Sequence, residues 1–245
     1  CAAAASLDEE TNPNFPSVRA WKSSFDFLQR AFSMSQQHST IALSETRVEI
    51  TARRTYIEGG FVALVAKLYA ATIKVFQWKD VVATDFMDWV MDENALLALA
   101  DRVLCFYIKR GTKRAIVQLS IIIMDIIGAR TERAHELLIA GWTKSRDKAE
   151  IVTIQLTATL LKLHDLIFTH GGDDGAQKRA TLHIIYHHAL CNRYEIARDL
   201  LLRSKVLEAA VEFDDDFKVL CNRVVAQVGL SAFRLGLLNE SHAVL

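Results

Sequence analysis

The two prolines of this chain lie near its start, at Pro13 and Pro16, and their placement constrains the fold more than any other feature. Proline fixes φ and removes a backbone donor, so helix interiors avoid it. Because no proline follows residue 16, long helices are unimpeded in the remainder of the chain. Only ten glycines occur in 245 residues, which argues against a hairpin-rich β protein, and a hydrophobic content of 51% provides a sizeable core. The chain is therefore predicted to be all-α.

Apolar residues recur at helical spacing from residue 17 onward. In SVRAWKSSFDFLQRAF they lie three or four positions apart, at Val18, Trp21, Phe25, Leu28 and Phe32, which is the spacing of one buried helix face.

Three regions follow from this patterning. Residues 1–16 are alanine-rich, then acidic, then turn-forming, and we predict a tail or linker there. Helical repeats are predicted over residues 17–170 and, after a short loop, over residues 176–245.

Glycine and capping residues predict where helices end. One long helical region covers residues 44–78, with a break expected near Gly59 and Gly60. A later helix is expected to start at Thr131, although the third residue on is alanine instead of the glutamate of a capping box. GGDDG, at residues 171–175, is the clearest loop in the chain.

Two central helices are predicted between these points. The first is expected to begin with a cap at Asn94 and to stop at Gly111. The second runs from Thr112 to Gly128.

An internal repeat is the most informative structural signal. ALCNRYEIARDLL and FRLGLLNESHAVL superpose with a shift of 44 residues, and each predicts a helix end, a tight turn and a second helix. The shift aligns Asn192 with Gly236, Tyr194 with Leu238, Ala197 with Ser241 and Leu200 with Val244. Ala115 and Ala134 follow similar turns, where a small side chain would let antiparallel helices approach closely.

The repeat predicts an architecture. A helix pair cannot bury its apolar face alone, so successive pairs stack into an array with a continuous core. The period is not constant, and the strict period of about 34 residues of tetratricopeptide repeats is absent. We therefore predict an irregular helical-repeat solenoid of antiparallel helix pairs, similar to tetratricopeptide and HEAT arrays.

Charge and cysteine content limit the classes of function. The net charge is zero, which excludes a protein whose whole surface attracts nucleic acid, but basic residues exceed acidic ones by six in residues 102–148. The four cysteines are scattered without a C-x-x-C pair, which is typical of a reducing compartment, the cytoplasm or nucleus. The longest apolar runs fall short of the roughly 20 residues of a membrane span, so we expect a soluble protein. No secretory signal pattern is present, and because the chain opens on Cys1 instead of Met we expect a fragment.

A pair of histidines raises the question of a metal site. His183 and His187 are four residues apart, one turn along a helix, and Cys191 follows after another four. A zinc-protease helix needs H-E-x-x-H, and the glutamate position here holds Ile184. Apolar residues flank both histidines, which indicates a helix buried between neighbours. We therefore predict a structural role for these histidines, with no metal and no cofactor.

Four basic residues surround one predicted turn. YIKRGTKR contains Lys109, Arg110, Lys113 and Arg114, and Arg130, Arg133, Lys144, Arg146 and Lys148 follow. Such a cluster can contact RNA phosphates or an acidic partner helix. A solvated hairpin end is the alternative, because no base-stacking aromatic residues are interleaved with these charges.

Other catalytic patterns are missing from the sequence. Neither a G-x-x-x-x-G-K-[ST] loop, a G-x-G-x-x-G loop nor a G-x-S-x-G elbow occurs. The acidic run Asp214, Asp215 and Asp216 lacks the spacing of a calcium loop, and a helix start explains it better, because carboxylates are favoured at a helix N-terminus. We predict no catalytic residue and no small-molecule substrate.

The C-terminal part of the chain resembles a known family. HIIYHHALCNRYEIARDLLLRSKV and VLCNRVVAQVGLSAFRLGLLNESHAVL resemble the c subunit of eukaryotic translation initiation factor three, in the helical region that leads into its PCI domain. The words that carry the resemblance are IYHHAL, ARDLLL, NR at residues 222–223, QVG and AFRLGL. The match is strong over residues 178–245, whereas upstream it rests chiefly on RVLCFYIKRGT and the helices after it.

The resemblance implies a non-catalytic scaffold subunit that supports preinitiation complex assembly on the small ribosomal subunit and start-codon selection. The implied partners are other subunits of the factor, other initiation factors and the 40S subunit, in the cytoplasm. The PCI domain itself would lie beyond Leu245, and the acidic N-terminal tail of the family is missing apart from LDEE. Two alternatives stay open: a PCI-type scaffold of the proteasome lid or signalosome, and a metal-dependent hydrolase centred on His183 and His187.

Overall fold

Every regular element in the described part of the chain is helical, as the sequence predicted. The computed structural model describes residues 18–38, 47–78, 86–136, 156–210 and 213–245. The helices are α1 (Val18–His38), α2 (Arg47–Trp78), α3 (Phe86–Arg110), α4 (Lys113–Gly128), α5 (Leu156–Thr169), α6 (Asp174–Leu190), α7 (Tyr194–Ser204), α8 (Val206–Ala209), α9 (Asp215–Arg234) and α10 (Leu238–Val244). The predicted tail at residues 1–16 lies outside the described residues.

The chain divides into two units, Cys1–Phe106 and Tyr107–Leu245. In the first unit, α1 buries the predicted apolar face, and Trp21, Leu28 and Phe32 are almost fully inaccessible. The Trp21 indole N–H donates to the carbonyl of Leu68 and to the hydroxyl of Thr72, both at 3.2 Å. Because a buried indole needs an acceptor, these bonds determine where α1 lies along α2.

α2 is continuous, so the break predicted near Gly59 and Gly60 is wrong. A methyl group added at Gly60 would meet no atom within 4 Å, so the packing does not require a glycine at this position. Val65 and Val75, on one side of the helix, are fully buried and hold the helical register. Packing of this kind outweighs the roughly 1 kcal/mol that glycine costs in a helix interior.

α2 also contains the one described window that is apolar and long enough to cross a membrane, Gly60–Gln77. Sequence reasoning missed it because Lys67 and Lys74 interrupt the run. The buried residues of the window include Thr72, which is bonded to Trp21 of α1, so packing against α1 accounts for the apolar residues on that side.

α3 begins at Phe86, eight residues before the predicted cap, so the prediction for Asn94 is wrong. Asn94 lies inside the helix and is buried. Trp89, which precedes it, is buried and packs edge-on against Trp21 with ring centroids 5.8 Å apart. The apolar face therefore starts before Asn94, and the helix starts with it. The predicted end at Gly111 is confirmed, because Gly111 follows α3 with φ +70°.

α6 lies at the centre of the second unit and packs against α4, α5, α7 and α9. Ala180, Leu182, Ile184, Ile185 and Ala189 are all buried, which confirms that this helix is apolar on two sides. The core on the side of α9 is continuous through α6, α7, α8 and α9; its buried members are Leu182, Ile185, Ala189, Tyr194, Ala197, Leu201, Val206, Phe217, Leu220, Cys221, Val224, Val228 and Ala232.

The two turns aligned by the 44-residue shift have the same backbone geometry. Asn192 and Gly236 both adopt positive φ, 58° and 79°. The amide of the residue after each one donates to the carbonyl five positions earlier, Arg193 to His188 at 2.9 Å and Leu237 to Ala232 at 3.0 Å. This is the hydrogen bond of a Schellman turn, which ends a helix and lets the chain reverse.

Two further turns follow the same pattern. Thr112 donates to Tyr107 after Gly111, and Gly172 donates to Ile167 after Gly171. GGDDG is shorter as a loop than predicted, because Asp173 already caps α6 by accepting from the amide of Ala176.

The two alanines predicted to sit at close helix contacts differ. Ala115 is buried in α4, whereas Ala134 is exposed and its neighbour His135 is buried, so that part of the prediction is wrong. The Thr131 hydroxyl does accept from the amide of Ala134 at 3.2 Å, so the predicted helix start is confirmed. The solenoid arrangement and the relation to PCI subunits stay predictions.

Candidate interaction surface

The predicted basic cluster lies on a tight turn of the second unit. Lys109 and Arg110 end α3, and Lys113 and Arg114 begin α4. All four side chains are exposed, and Gly111, between the pairs, adopts the left-handed conformation that brings the two helix ends together. We refer to Lys109, Arg110, Lys113 and Arg114 as the basic turn.

The charges of the basic turn are arranged unequally with respect to the helix dipoles. Lys109 and Arg110 lie at a helix C-terminus, where cations are favoured. Lys113 and Arg114 lie at a helix N-terminus, where cations are disfavoured, and the first turn of α4 has no acidic residue to offset them. Two cations therefore occupy positions that cost helix stability, which is the arrangement expected where positive charge is needed for binding.

The turn offers charge without an aromatic platform. Tyr107, the aromatic residue in YIKRGTKR, is fully buried, and burial raises its pKa to about 12. The ring cannot stack on a base, so a nucleic acid would be held here by its phosphates and not by its bases.

Of the five basic residues that follow the basic turn in sequence, the structure describes Arg130 and Arg133. Arg130 is buried. Arg133 is exposed and lies 3.9 Å from Glu136, which offsets its charge. Lys144, Arg146 and Lys148 lie outside the described residues.

His183 and His187 are held by different partners. His183 Nε2 lies 2.6 Å from Asp125 Oδ1 of α4, a short polar contact whose angle is not that of a hydrogen bond. Gly128 permits this approach, because a methyl group there would lie 3.3 Å from His183 Nδ1. Sequence reasoning missed Asp125; its signal is a single carboxylate within the otherwise apolar IIIMDII.

His187 is fully buried and belongs to a second polar group. Its Nε2 lies 3.1 Å from the Thr157 hydroxyl, which donates to Glu132 at 2.8 Å, and 3.8 Å from Cys191 Sγ. Burial, and then the neighbouring His188, lower the pKa of His187 below its usual 6.5, so the ring is neutral near pH 7. Each histidine is thus engaged with protein groups. In the ranges that the structure describes, no group of three or more His, Cys, Asp or Glu side chains is placed to hold a metal ion.

The surroundings of two cysteines and of the acidic run at residues 214–216 fit structural roles. Burial raises the pKa of the Cys191 and Cys221 thiols, the opposite of what an activated nucleophile needs. Asp214 caps α9 by accepting from the amide of Phe217, and Asp215 and Asp216 lie in its first turn. The helix-start prediction for this run is confirmed.

These observations place the chain in the class of all-α proteins built from helical hairpins, with an exposed basic turn and histidines that face into the packing. A model of the eukaryotic translation initiation factor 3 subunit 8 N-terminus matches residues 6–245. The chain belongs to this family.

Relatives agree with this assignment. The chain is 26% identical over 247 residues to the c subunit of eukaryotic translation initiation factor 3 of Danio rerio, covering 96% of this chain and 27% of that protein. It is 26% identical over 268 residues to the same subunit of Saccharomyces cerevisiae, covering 98% of this chain and 32% of that protein. A 69-residue stretch, 28% of this chain and 8% of the relative, is 48% identical to the same subunit of Candida glabrata. The chain therefore spans about a quarter to a third of the length of the relatives that it matches over most of its own length.

Proposed function

We propose that this chain is part of a non-catalytic scaffold subunit of the eukaryotic translation initiation factor three complex. In this role it supports assembly of the preinitiation complex on the small ribosomal subunit, and start-codon selection, through contacts with other macromolecules. Its partners are other subunits of the factor, other initiation factors and the 40S subunit, in the cytoplasm. The role needs no cofactor, small-molecule substrate or membrane.

The family match over residues 6–245 carries this proposal. The architecture suits it, because stacked helix pairs form an extended surface on which neighbouring subunits can dock helix against groove. We interpret the helices as an irregular solenoid that leads towards a PCI domain, and the equivalent turns at Asn192 and Gly236 support that interpretation.

The alternatives have less support. Family membership favours the initiation factor over the proteasome lid and the signalosome. A hydrolase centred on His183 and His187 would need both imidazoles directed at one ion, whereas Asp125 and Thr157 engage them separately. The metal content of the purified protein provides the remaining test. About one equivalent of bound zinc, lost when both histidines are replaced, would support the hydrolase.

The basic turn is the surface that we propose for contact with a negatively charged partner, either ribosomal RNA or an acidic protein segment. Both ligands would be recognised through charge, and both contacts would weaken with added salt. The absence of a stacking ring at the turn predicts little dependence on base sequence.

Crosslinking mass spectrometry on the native complex tests the scaffold role. The full-length protein should co-sediment with 40S particles, and crosslinks from Lys109 and Lys113 should reach ribosomal proteins or other subunits of the factor. Co-sedimentation with the proteasome lid in place of 40S particles would refute the assignment.

A charge-reversal variant tests the basic turn. Changing Lys109, Arg110, Lys113 and Arg114 to glutamate should weaken 40S binding and reduce the slope of log affinity against log salt by about three, if each cation contacts one phosphate. The matched control reverses four scattered exposed cations, Lys67, Lys162, Arg203 and Lys205. If both variants lose the same 40S affinity, the effect comes from the net charge of the protein and not from the basic turn. If the charge-reversal variant loses a contact with an acidic protein segment but keeps all its contacts with RNA, the partner of the basic turn is a protein.

A further inference from the structure

A cleft of about 300 Å³ lies between α1 and α3 in the first unit. Aromatic contacts hold the two helices together on either side of it: Trp21 packs edge-on against Trp89 at 5.8 Å, and Phe32 packs edge-on against Phe106 at 5.5 Å. The cleft is therefore a product of the packing between these helices. Its lining residues are Asp26, Gln29, Arg30, Phe32 and Ser33 of α1 and Arg102 of α3.

Two guanidinium groups share this small space. Arg30 lies one turn after Asp26 on the same side of α1. Arg102 comes much later in the sequence and lines the cleft because α3 packs on α1. Like charges that share a cleft repel each other, and an anion between them removes that cost. The cleft therefore has the electrostatic character of an anion site.

The charge of these two arginines is not offset within the fold. Lys22, one turn before Asp26 on α1, pairs with Asp92 of α3 at 3.6 Å. No carboxylate in the part of the chain that the structure describes forms such a pair with Arg30 or Arg102. Asp26 is the one carboxylate among the lining residues, so the cleft keeps one positive charge without a counter-ion.

The lining residues also provide hydrogen-bond donors for an anion. Ser33 already donates its hydroxyl to the carbonyl of Arg30 at 2.8 Å, so the donors that remain are Arg30, Arg102 and the amide of Gln29. The forked N–H groups of a guanidinium match the two oxygens of a carboxylate. A carboxylate carries one negative charge, which is the charge that the cleft lacks.

We propose that this cleft binds the carboxylate of an aspartate or glutamate side chain from an acidic segment of a partner protein. Arg30 and Arg102 hold the carboxylate, the Gln29 amide donates to it, and Asp26 disfavours ligands of higher negative charge. The chemistry favours a protein over RNA, because Phe32, the ring among the lining residues, is 2% exposed and offers no face on which a base can stack.

The inference deepens the proposed scaffold role by naming the chemistry of one partner contact. It rests on the cleft of the first unit and not on the ribosome. The cleft can therefore bind its ligand when 40S association fails, and 40S association can persist when the cleft binds nothing.

Nuclear magnetic resonance of the arginine Nε–Hε groups tests the cleft in the 245-residue protein. The probe is the acetylated and amidated tripeptide Ala-Glu-Ala, titrated at constant ionic strength. The Arg30 and Arg102 signals, assigned from Arg30→Gln and Arg102→Gln, should shift saturably with one common dissociation constant. Either substitution should weaken binding at least about threefold at the remaining arginine, since each exposed charge pair contributes modestly.

Arg203 is the matched control, because it is exposed and lies on α7 of the second unit. Its signal should show no saturable shift. Both arginines of the cleft are exposed, so their replacement should leave the other signals of the spectrum in place and show that the variants are folded. Shifts of Arg30 and Arg102 that are linear in peptide concentration, or that Arg203 matches, would overturn the proposal.

The charge limit set by Asp26 has its own test. The tripeptide Ala-phosphoserine-Ala carries nearly two negative charges and should bind the unchanged protein no more tightly than the glutamate peptide. Asp26→Asn should strengthen the binding of both peptides, and the factor for phosphoserine should be about the square of the factor for glutamate, because Asp26 repels two charges instead of one. Tighter binding of phosphoserine to the unchanged protein would overturn the proposal in favour of a phosphate site. Saturable shifts of both arginines with oligouridylate at lower concentration than with the glutamate peptide would overturn it in favour of RNA.

Discussion

Replacing Asp125 by alanine tests whether the conspicuous histidine helix is structural. Asp125 lies on α4 within 2.6 Å of His183 Nε2, and the side chains are 24% and 8% exposed. The change leaves a nearly buried imidazole nitrogen with neither the carboxylate nor free access to water. A buried polar group that loses its partner costs about 1–3 kcal/mol. Because Asp125 is partly exposed and its contact is not a linear hydrogen bond, we expect a value near the middle, about 2 kcal/mol.

Thermal unfolding followed by circular dichroism measures this loss. For a chain of this size 1 kcal/mol shifts the melting temperature by about 2–4 °C, so Asp125→Ala should lower it by about 4–8 °C. Asp165→Ala is the matched control, because Asp165 also neighbours a histidine, His164, at 3.6 Å but is 81% exposed. It should cost less than about 0.5 kcal/mol. If the two variants melt together, the contact between α4 and α6 contributes nothing and the structural interpretation of His183 loses its main support.

Three further predictions concern pH, packing and the turns. The pKa of His187 is lowered in the folded state, so the unfolded chain binds more protons on acidification. The free energy of unfolding should therefore be at its full value above about pH 6.5 and should fall as the pH drops below that. Urea midpoints at pH 7.5 and 5.5 will measure this loss, and His187→Gln should reduce the difference between the two midpoints. Ala115→Leu should cost about 1–3 kcal/mol by overpacking, whereas Ala134→Leu should stay within about 0.5 kcal/mol; equal effects in urea unfolding would contradict the assigned burial. Gly236→Ala should lower the free energy of unfolding by about 1 kcal/mol because residue 236 has a φ of 79°. Gly60→Ala should raise it by up to about 1 kcal/mol, because it replaces a glycine inside a helix where a methyl group meets no other atom. Calorimetry that gives the two changes the same sign would refute this contrast.

Local patterns predicted the helices well where the apolar stripe and the end signal coincide. Trp21, Leu28 and Phe32 lie on the buried side of α1, and Gly111 ends α3. The same patterns failed where a polar or small residue lies inside a helix. Asn94 resembles a cap and Gly60 a break, but burial of the flanking apolar residues continues each helix through them.

For the candidate site, local sequence predicted the basic turn but not the partners of the two histidines. Lys109 and Lys113 are exposed on one turn because the glycine between them reverses the chain, and this could be read from adjacent residues. The partners of His183 and His187 could not be read, because Asp125 and Thr157 are 58 and 30 residues away and meet them only when α4 and α5 pack against α6.

The amino-acid sequence by itself determined the helical class, the positions of the tight turns and the 44-residue repeat, because all of these depend on residues close together in the chain. Only the tertiary structure decided which equivalent positions are covered and which are open. Ala115 and Ala134 carry the same side chain after similar turns, yet one is buried and the other exposed. Burial depends on what packs against a position, and that neighbour is supplied by a different part of the fold.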